Sequence, residues 1–169
     1  MDRMDREYHK LWYRLDGSDY YLIWYTTEID GIFVDSEGRV PVFRREGSLE
    51  NYAMERGLEI TPGEPILHDL EKINCWLEAE FGENLEYECI LNAWNMFDDV
   101  FKSIGKTFSS KSELENSIYD KLFYGSNLPV ITPKGQRYDP VWTFAEISFI
   151  RTAMELGIEQ LRTSAYCQD

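Results

Sequence analysis

Up to Phe43 the apolar residues of this chain come in β-branched and aromatic runs, whereas beyond Gly47 they recur every three or four positions. That change of period constrains the fold more than any other feature. A period of two buries one face of a strand, and a period near 3.6 buries one stripe of a helix. "EYHKLWYRL" and "YYLIWYTTEI" flank the turn cluster Asp16-Gly17-Ser18-Asp19, and Asp30-Gly31 offers a second tight turn. An antiparallel meander of three or four strands is expected. Tyr20, Leu22 and Trp24 alternate with Tyr21, Ile23 and Tyr25, so the second strand is apolar on both faces. It belongs inside the sheet, with helices on at least one side.

"DGIFVDSEGRVPVF", residues 30 to 43, concentrates carboxylates and turn residues and invites a test as a calcium loop. Aligned on Gly38, the first, third, fifth and twelfth positions of such a loop fall on Phe33, Asp35, Glu37 and Arg44. Phe33 and Arg44 supply no ligand oxygen at the two ends. A hairpin fits better: Ser36 to Arg39 form the loop, Gly38 takes positive φ, and Pro41, lacking an N–H, places its strand near a sheet edge.

The rest reads as helix. Ser48 is a good N-cap for "LENYAMER", with Gly57 as its stop. "LHDLEKINCWLEAEF" carries Leu70, Ile73, Leu77 and Phe81 on one stripe and ends at Gly82. A longer helix from about Leu85 to Ile104 buries Ile90, Ala93, Trp94, Phe97, Val100, Phe101 and Ile104. It sets Glu88, Asn92, Asn95 and Asp99 together on the opposite side. Ser110 and Glu113 have capping-box spacing ahead of Leu114, Ile118 and Leu122. After the connector "SNLPVITPKGQRYDP", where Val130-Ile131-Thr132 suits a short edge strand, Asp139 and Pro140 suit the start of a final helix. Trp142, Ala145, Phe149, Ala153 and Leu156 make one face of that helix, and Ile147, Ile150 and Met154 extend it around most of the cylinder. The expectation is one α+β domain in which an N-terminal antiparallel meander of three or four strands packs against four or five helices.

Charge limits the function. The formal net charge is -14, and between Glu46 and Asp99 there are 14 acids against only Arg56 and Lys72. Binding to phosphates rests on clustered Lys and Arg, so nucleic acid is not an expected direct ligand. No apolar run reaches the ~18 residues that a membrane span needs, and "MDRMDREYHK" has no signal-peptide core. Cys75, Cys89 and Cys167 are odd in number and contain no C-x-x-C pair, which fits a reducing compartment. A cytoplasmic location follows as the expectation.

Motifs for catalysis are missing. The chain has no H-E-x-x-H, G-x-S-x-G, phosphate loop or Rossmann glycine pattern, and its two histidines are His9 and His68. If His68 and Cys75 shared a helix they would stand about 10 Å apart along its axis, too far for a thiolate-imidazole pair. No metal site and no cofactor are expected. Asp98 and Asp99 are adjacent and therefore point to different sides of a helix. A carboxylate-dependent hydrolase stays open, because the separation of its two acids is spatial rather than sequential.

The segments "DGIFVDSEGRVPVFRREGSLENYA" and "WTFAEISFIRTAMELGIEQL" resemble the small immunity proteins of bacterial contact-dependent growth inhibition and related polymorphic toxin systems. The likeness covers about a third of the chain. It implies a non-catalytic protein that neutralises one cognate toxin domain, commonly a nuclease, by tight binding, and it carries over no individual residue. A nuclease presents cations to phosphates, so carboxylates are what its inhibitor gains by presenting. The expected contact face combines the helix near residues 68 to 81, including Glu78 and Glu80, with the stripe Glu88, Asn92, Asn95 and Asp99. Trp76 and Tyr87, at the borders of their apolar stripes, are the expected aromatic anchors. The partner is a basic toxin domain, and the chain itself is expected to be a monomer or a weak dimer. The alternatives are a small carboxylate-dependent hydrolase and an acidic adaptor for a basic protein.

Overall fold

The computed structural model describes residues 6–80 and 85–169. The elements run β1 (Glu7–Leu15), β2 (Ser18–Thr26), β3 (Gly31–Ile32), β4 (Val40–Val42), α1 (Glu46–Glu55), β5 (Leu67–Asp69), α2 (Leu70–Glu78), α3 (Tyr87–Ser103), α4 (Glu113–Gly125), α5 (Phe144–Ser164) and β6 (Ala165–Cys167). The fold is α+β, as the change of period predicts. β1 and β2 form an antiparallel hairpin whose turn residues Asp16 and Gly17 both have positive φ, 52° and 73°. A two-residue turn of that hand matches the twist of its strands. β3 adds to β2 antiparallel, and β5 returns from beyond α1 to lie parallel to β1, giving the order β3-β2-β1-β5.

Residues 30 to 43 differ from the expected hairpin. Phe33 donates its N–H to Ile23 O at 2.8 Å, and Phe43 exchanges both backbone hydrogen bonds with Tyr21, at 2.7 and 2.9 Å. Phe33 and Phe43 therefore follow one another along the same edge of β2, and residues 34 to 42 leave and rejoin that edge. Asp35 closes the excursion by accepting from the N–H groups of Glu37 and Arg39, while Gly38 adopts φ 76°. The carboxylate serves the turn and also pairs with Arg39 Nε at 3.1 Å. Within the excursion β4 pairs in parallel with β6, the last strand, so its partner lies more than 120 residues away. Pro41 is tolerated because β4 has a ladder partner on one side only.

The two faces of the four-stranded sheet carry separate cores. Leu11, Tyr13, Leu15 and Leu22 pack with Leu70, Ile73 and Trp76 of α2, the buried face of α3 and the α5 residues Ile147, Ile150, Met154 and Leu161. On the other face Ile23 and Phe43 pack with Leu49, Tyr52 and Ala53 of α1. Both faces of β2 are thus covered. Its Tyr13 cross-strand neighbour Tyr20 stacks at 5.3 Å between ring centroids, the kind of aromatic pair that pins register.

Helix starts deviate from the expected ones for local reasons. Arg45, not Ser48, occupies the first cap, and Ser48 lies inside α1. Asp69 accepts from Glu71 and Lys72 N–H, so His68 is in β5 and the helix begins at Leu70. The expected stop at Gly82, with Phe81 before it, falls outside the described residues. Ser112, not Ser110, caps α4. Thr143 caps α5 through Glu146 N–H, displacing the Asp139-Pro140 start by four residues. Val130-Ile131-Thr132 is turn, not strand. α5 is not covered all round: Ala145 and Leu156, expected on its main face, are exposed, and Gly157 instead marks the side pressed against α3.

Candidate functional site

The α3 stripe faces a furrow between α3 and the segment leading into β5. Two adjoining hollows, of about 350 Å³ and 360 Å³, share Ile66, His68 and Asn92 in their walls. Glu88 and Tyr87 lie at one end, with Gly125 and Ser126. His9, Trp24, Glu64, Asn95 and Asp99 lie at the other. Sequence spacing alone aligned Glu88, Asn92, Asn95 and Asp99, and the fold places that line against a concavity.

The four stripe residues are not equivalent. Glu88 and Asn95 are exposed. Asn95 accepts from the Tyr119 hydroxyl at 3.0 Å, whereas the Asn92 side chain has no hydrogen-bond partner among the described residues. Asp99 is the most constrained: it accepts from Trp24 Nε1 at 3.2 Å and pairs with Lys102 at 3.0 Å. Burial pushes its carboxyl above the usual range, and the Lys102 and Trp24 contacts only partly oppose that. Asp99 is thus a strut between sheet and helix as well as a wall of the furrow.

Free negative charge sits at the rim. Glu64 and Glu88 make no ion pair among the described residues, whereas Glu86 is paired with Lys72 at 3.3 Å and Asp69 is taken up as the α2 cap. Ile66, between the two hollows, is 75% exposed. Glu78 and Glu80 are exposed and also without an ion pair among the described residues.

The expected aromatic anchors are placed differently. Trp76 is only 6% exposed, covered by the Arg151 guanidinium 5.2 Å from its ring centroid. Arg151 also donates to the backbone carbonyls of Trp76 and Leu77, which places a cation at the negative end of α2. Trp76 presents no ring to a partner, because the stripe border at which it sits faces α5. Tyr87 is half-buried against Trp142, whose Nε1 donates to its hydroxyl at 3.3 Å. Tyr87 lines the furrow beside Glu88.

Both histidines line the same hollow, although 59 positions separate them in the chain. His68 Nδ1 lies 3.1 Å from Ile66 O; a carbonyl only accepts, so Nδ1 carries a proton, and the Trp12 backbone is a second hydrogen-bond partner of the ring. Burial lowers its pKa. No Ser, Thr, Cys or Tyr lines that hollow. In the adjoining one, burial raises the Cys89 thiol to about 11, and its Sγ donates to Asp69 O, so it is not a thiolate nucleophile at neutral pH. Among the described residues no group of three His, Cys, Asp or Glu side chains could hold a metal ion.

Sequence reasoning missed a second surface. The connector from α4 to α5 exposes Val130 by 95% and Val141 by 84%, with Tyr124, Ile131 and Tyr138 also exposed. Asn127 holds its base: Nδ2 donates to the carbonyls of Gly125 and Tyr138, and Oδ1 accepts from Tyr138 N–H. Apolar residues between Pro129 and Pro133 were the available signal, since a tight polar loop offers no core to bury them.

No protein-family model matches the sequence, and no curated protein matches it. Among solved structures the chain is similar to the crystal structure of the SatS C-terminal domain in complex with bromine. The TM-score is 0.55 at 12% sequence identity, over 95% of this chain and 94% of that one. At that identity the likeness concerns the fold. Among the described residues no helix is long and apolar enough to cross a membrane.

Proposed function

We propose that this chain is an immunity protein that binds a basic toxin domain, of the nuclease kind, and neutralises it stoichiometrically through the furrow along α3. The observation that carries the reading is the pairing of unengaged carboxylates with an exposed apolar residue around one concavity: Glu64 and Glu88 flank Ile66. Carboxylates that already hold a cation gain little from a second one. Glu64 and Glu88 have none among the described residues to give up. The excess of acids between Glu46 and Asp99 adds long-range attraction for a basic partner, which speeds encounter.

One observation favours a second reading, a carboxylate-dependent hydrolase: Asp99, its pKa raised by burial, lines the same hollow as His9, His68 and Glu64. Against it, Asp99 is tied to Trp24 and Lys102, which leaves a general acid little freedom.

Co-expression with the product of the neighbouring upstream gene, tested as the toxin, checks the proposal. Rescue of growth and a 1:1 complex on gel filtration are expected, with both lost on combined Glu64→Lys and Glu88→Lys substitution. A toxin that kills regardless and elutes separately removes the reading.

A further inference from the structure

We infer that the hollow between β1, β2, the segment before β5 and α3 is a receptor for a single arginine side chain of the partner. The inference rests on the proposed function and names what enters the site. The hollow, about 360 Å³, has an apolar wall of Leu11, Pro65 and Met96 and one aromatic wall, Trp24. Its polar lining includes two carboxylates, Glu64 and Asp99. Glu64 has no ion pair and the Asn92 side chain no hydrogen bond among the described residues.

Among the described residues the lysines near the hollow are engaged by carboxylates. Lys10 contributes to the wall, but its ammonium is held at 2.7 Å by Glu46 and at 3.1 Å by Glu50 of α1, the helix on the other face of the sheet. Lys102 is engaged by Asp98 and Asp99 on its own helix. Burial disfavours the cationic form of His68. His9 lies 5.2 Å from the Trp24 ring and 3.8 Å from Glu7.

A guanidinium suits these walls better than an ammonium. It is planar, weakly hydrated, stacks on an indole, and spreads five donors over several acceptors at once. A phosphate would meet Glu64 and Asp99, and a metal ion would lack a third ligand of suitable geometry among the described residues.

The test titrates N-acetyl-arginine amide into the full chain while the Trp24 indole N–H resonance is followed by NMR. N-acetyl-citrulline amide, of the same shape without the charge, is the control. A saturable shift with the arginine probe at millimolar concentration, small or absent with citrulline, is expected. Glu64→Gln and Asn92→Ala, both at solvent-accessible positions, should each weaken the probe by roughly three- to tenfold. No saturable shift, an equal response to citrulline, or indifference to both substitutions overturns the inference. The two proposals fail separately. Probe binding in a chain that no toxin engages leaves the receptor and removes the immunity role. A toxin complex sensitive to Glu88→Lys but not to Glu64→Gln, with no probe shift, does the reverse.

Discussion

Trp24 on β2 donates its indole N–H to Asp99 on α3 at 3.2 Å, across 75 positions of sequence. The bond joins the sheet to the helix that bears the candidate site. It also gives a carboxylate of the polar stripe a structural duty that spacing alone could not reveal. Burial raises the Asp99 pKa above 3.8, so the folded state holds this proton more tightly than the unfolded chain does. Stability tied to the protonated form is complete below 3.8 and declines as pH rises through the folded-state value.

Asp99→Asn keeps an acceptor for Trp24 and removes the titration. Urea unfolding as a function of pH should show the variant gaining on the native chain as pH rises from about 4 toward neutrality. A difference independent of pH would mean that the Lys102 pair fully offsets the burial.

Gly157 of α5 lies so close to Phe97 of α3 that an added Cβ would overlap the ring at Cδ2. Phe97 is fully buried and cannot retreat. Gly157→Ala should destabilise the chain by about 1–3 kcal/mol, against the helix-propensity gain that Ala would otherwise bring. Calorimetric unfolding at a higher temperature than the native chain would contradict this packing.

Glu115 is buried at the start of α4, accepting from the Ser109 and Ser110 hydroxyls and from Lys111 N–H. Burial alone would raise its pKa; the hydrogen bonds outweigh that and hold it below 4.5. Its stabilising effect is present above 4.5 and is lost as pH falls through the folded-state value. Glu115→Gln should cost about 1–2 kcal/mol at neutral pH and show a smaller acid-side loss in denaturation midpoints.

Glu88→Lys should slow association with a basic partner several-fold at low salt, measured by stopped-flow mixing. The difference should fade toward 1 M salt, where the screening length falls to about 3 Å. An effect that persists at high salt would assign Glu88 a direct contact instead of a steering one.

Val130→Ser should leave folding stability within about 0.5 kcal/mol, since the side chain is 95% exposed and supports no core. If gel filtration or binding then changes while stability does not, the connector is a second contact surface.

The fold class, the β1-β2 hairpin and the buried face of α3 from Ile90 to Phe101 were legible in the amino-acid order. Those follow from local physics: the period of the apolar residues, and glycine or aspartate where φ must be positive. That order also aligned Glu88, Asn92, Asn95 and Asp99, because 100° per residue holds wherever the helix lies. Tertiary structure alone decided that Asp99 would be tied to Trp24, that Trp76 would vanish beneath Arg151, and that His9, Glu64 and His68 would meet over α3. It likewise sent β4 to the C-terminal strand instead of into a hairpin. These outcomes depend on which helix covers which face, and a one-dimensional pattern records that a side is apolar without recording its neighbour.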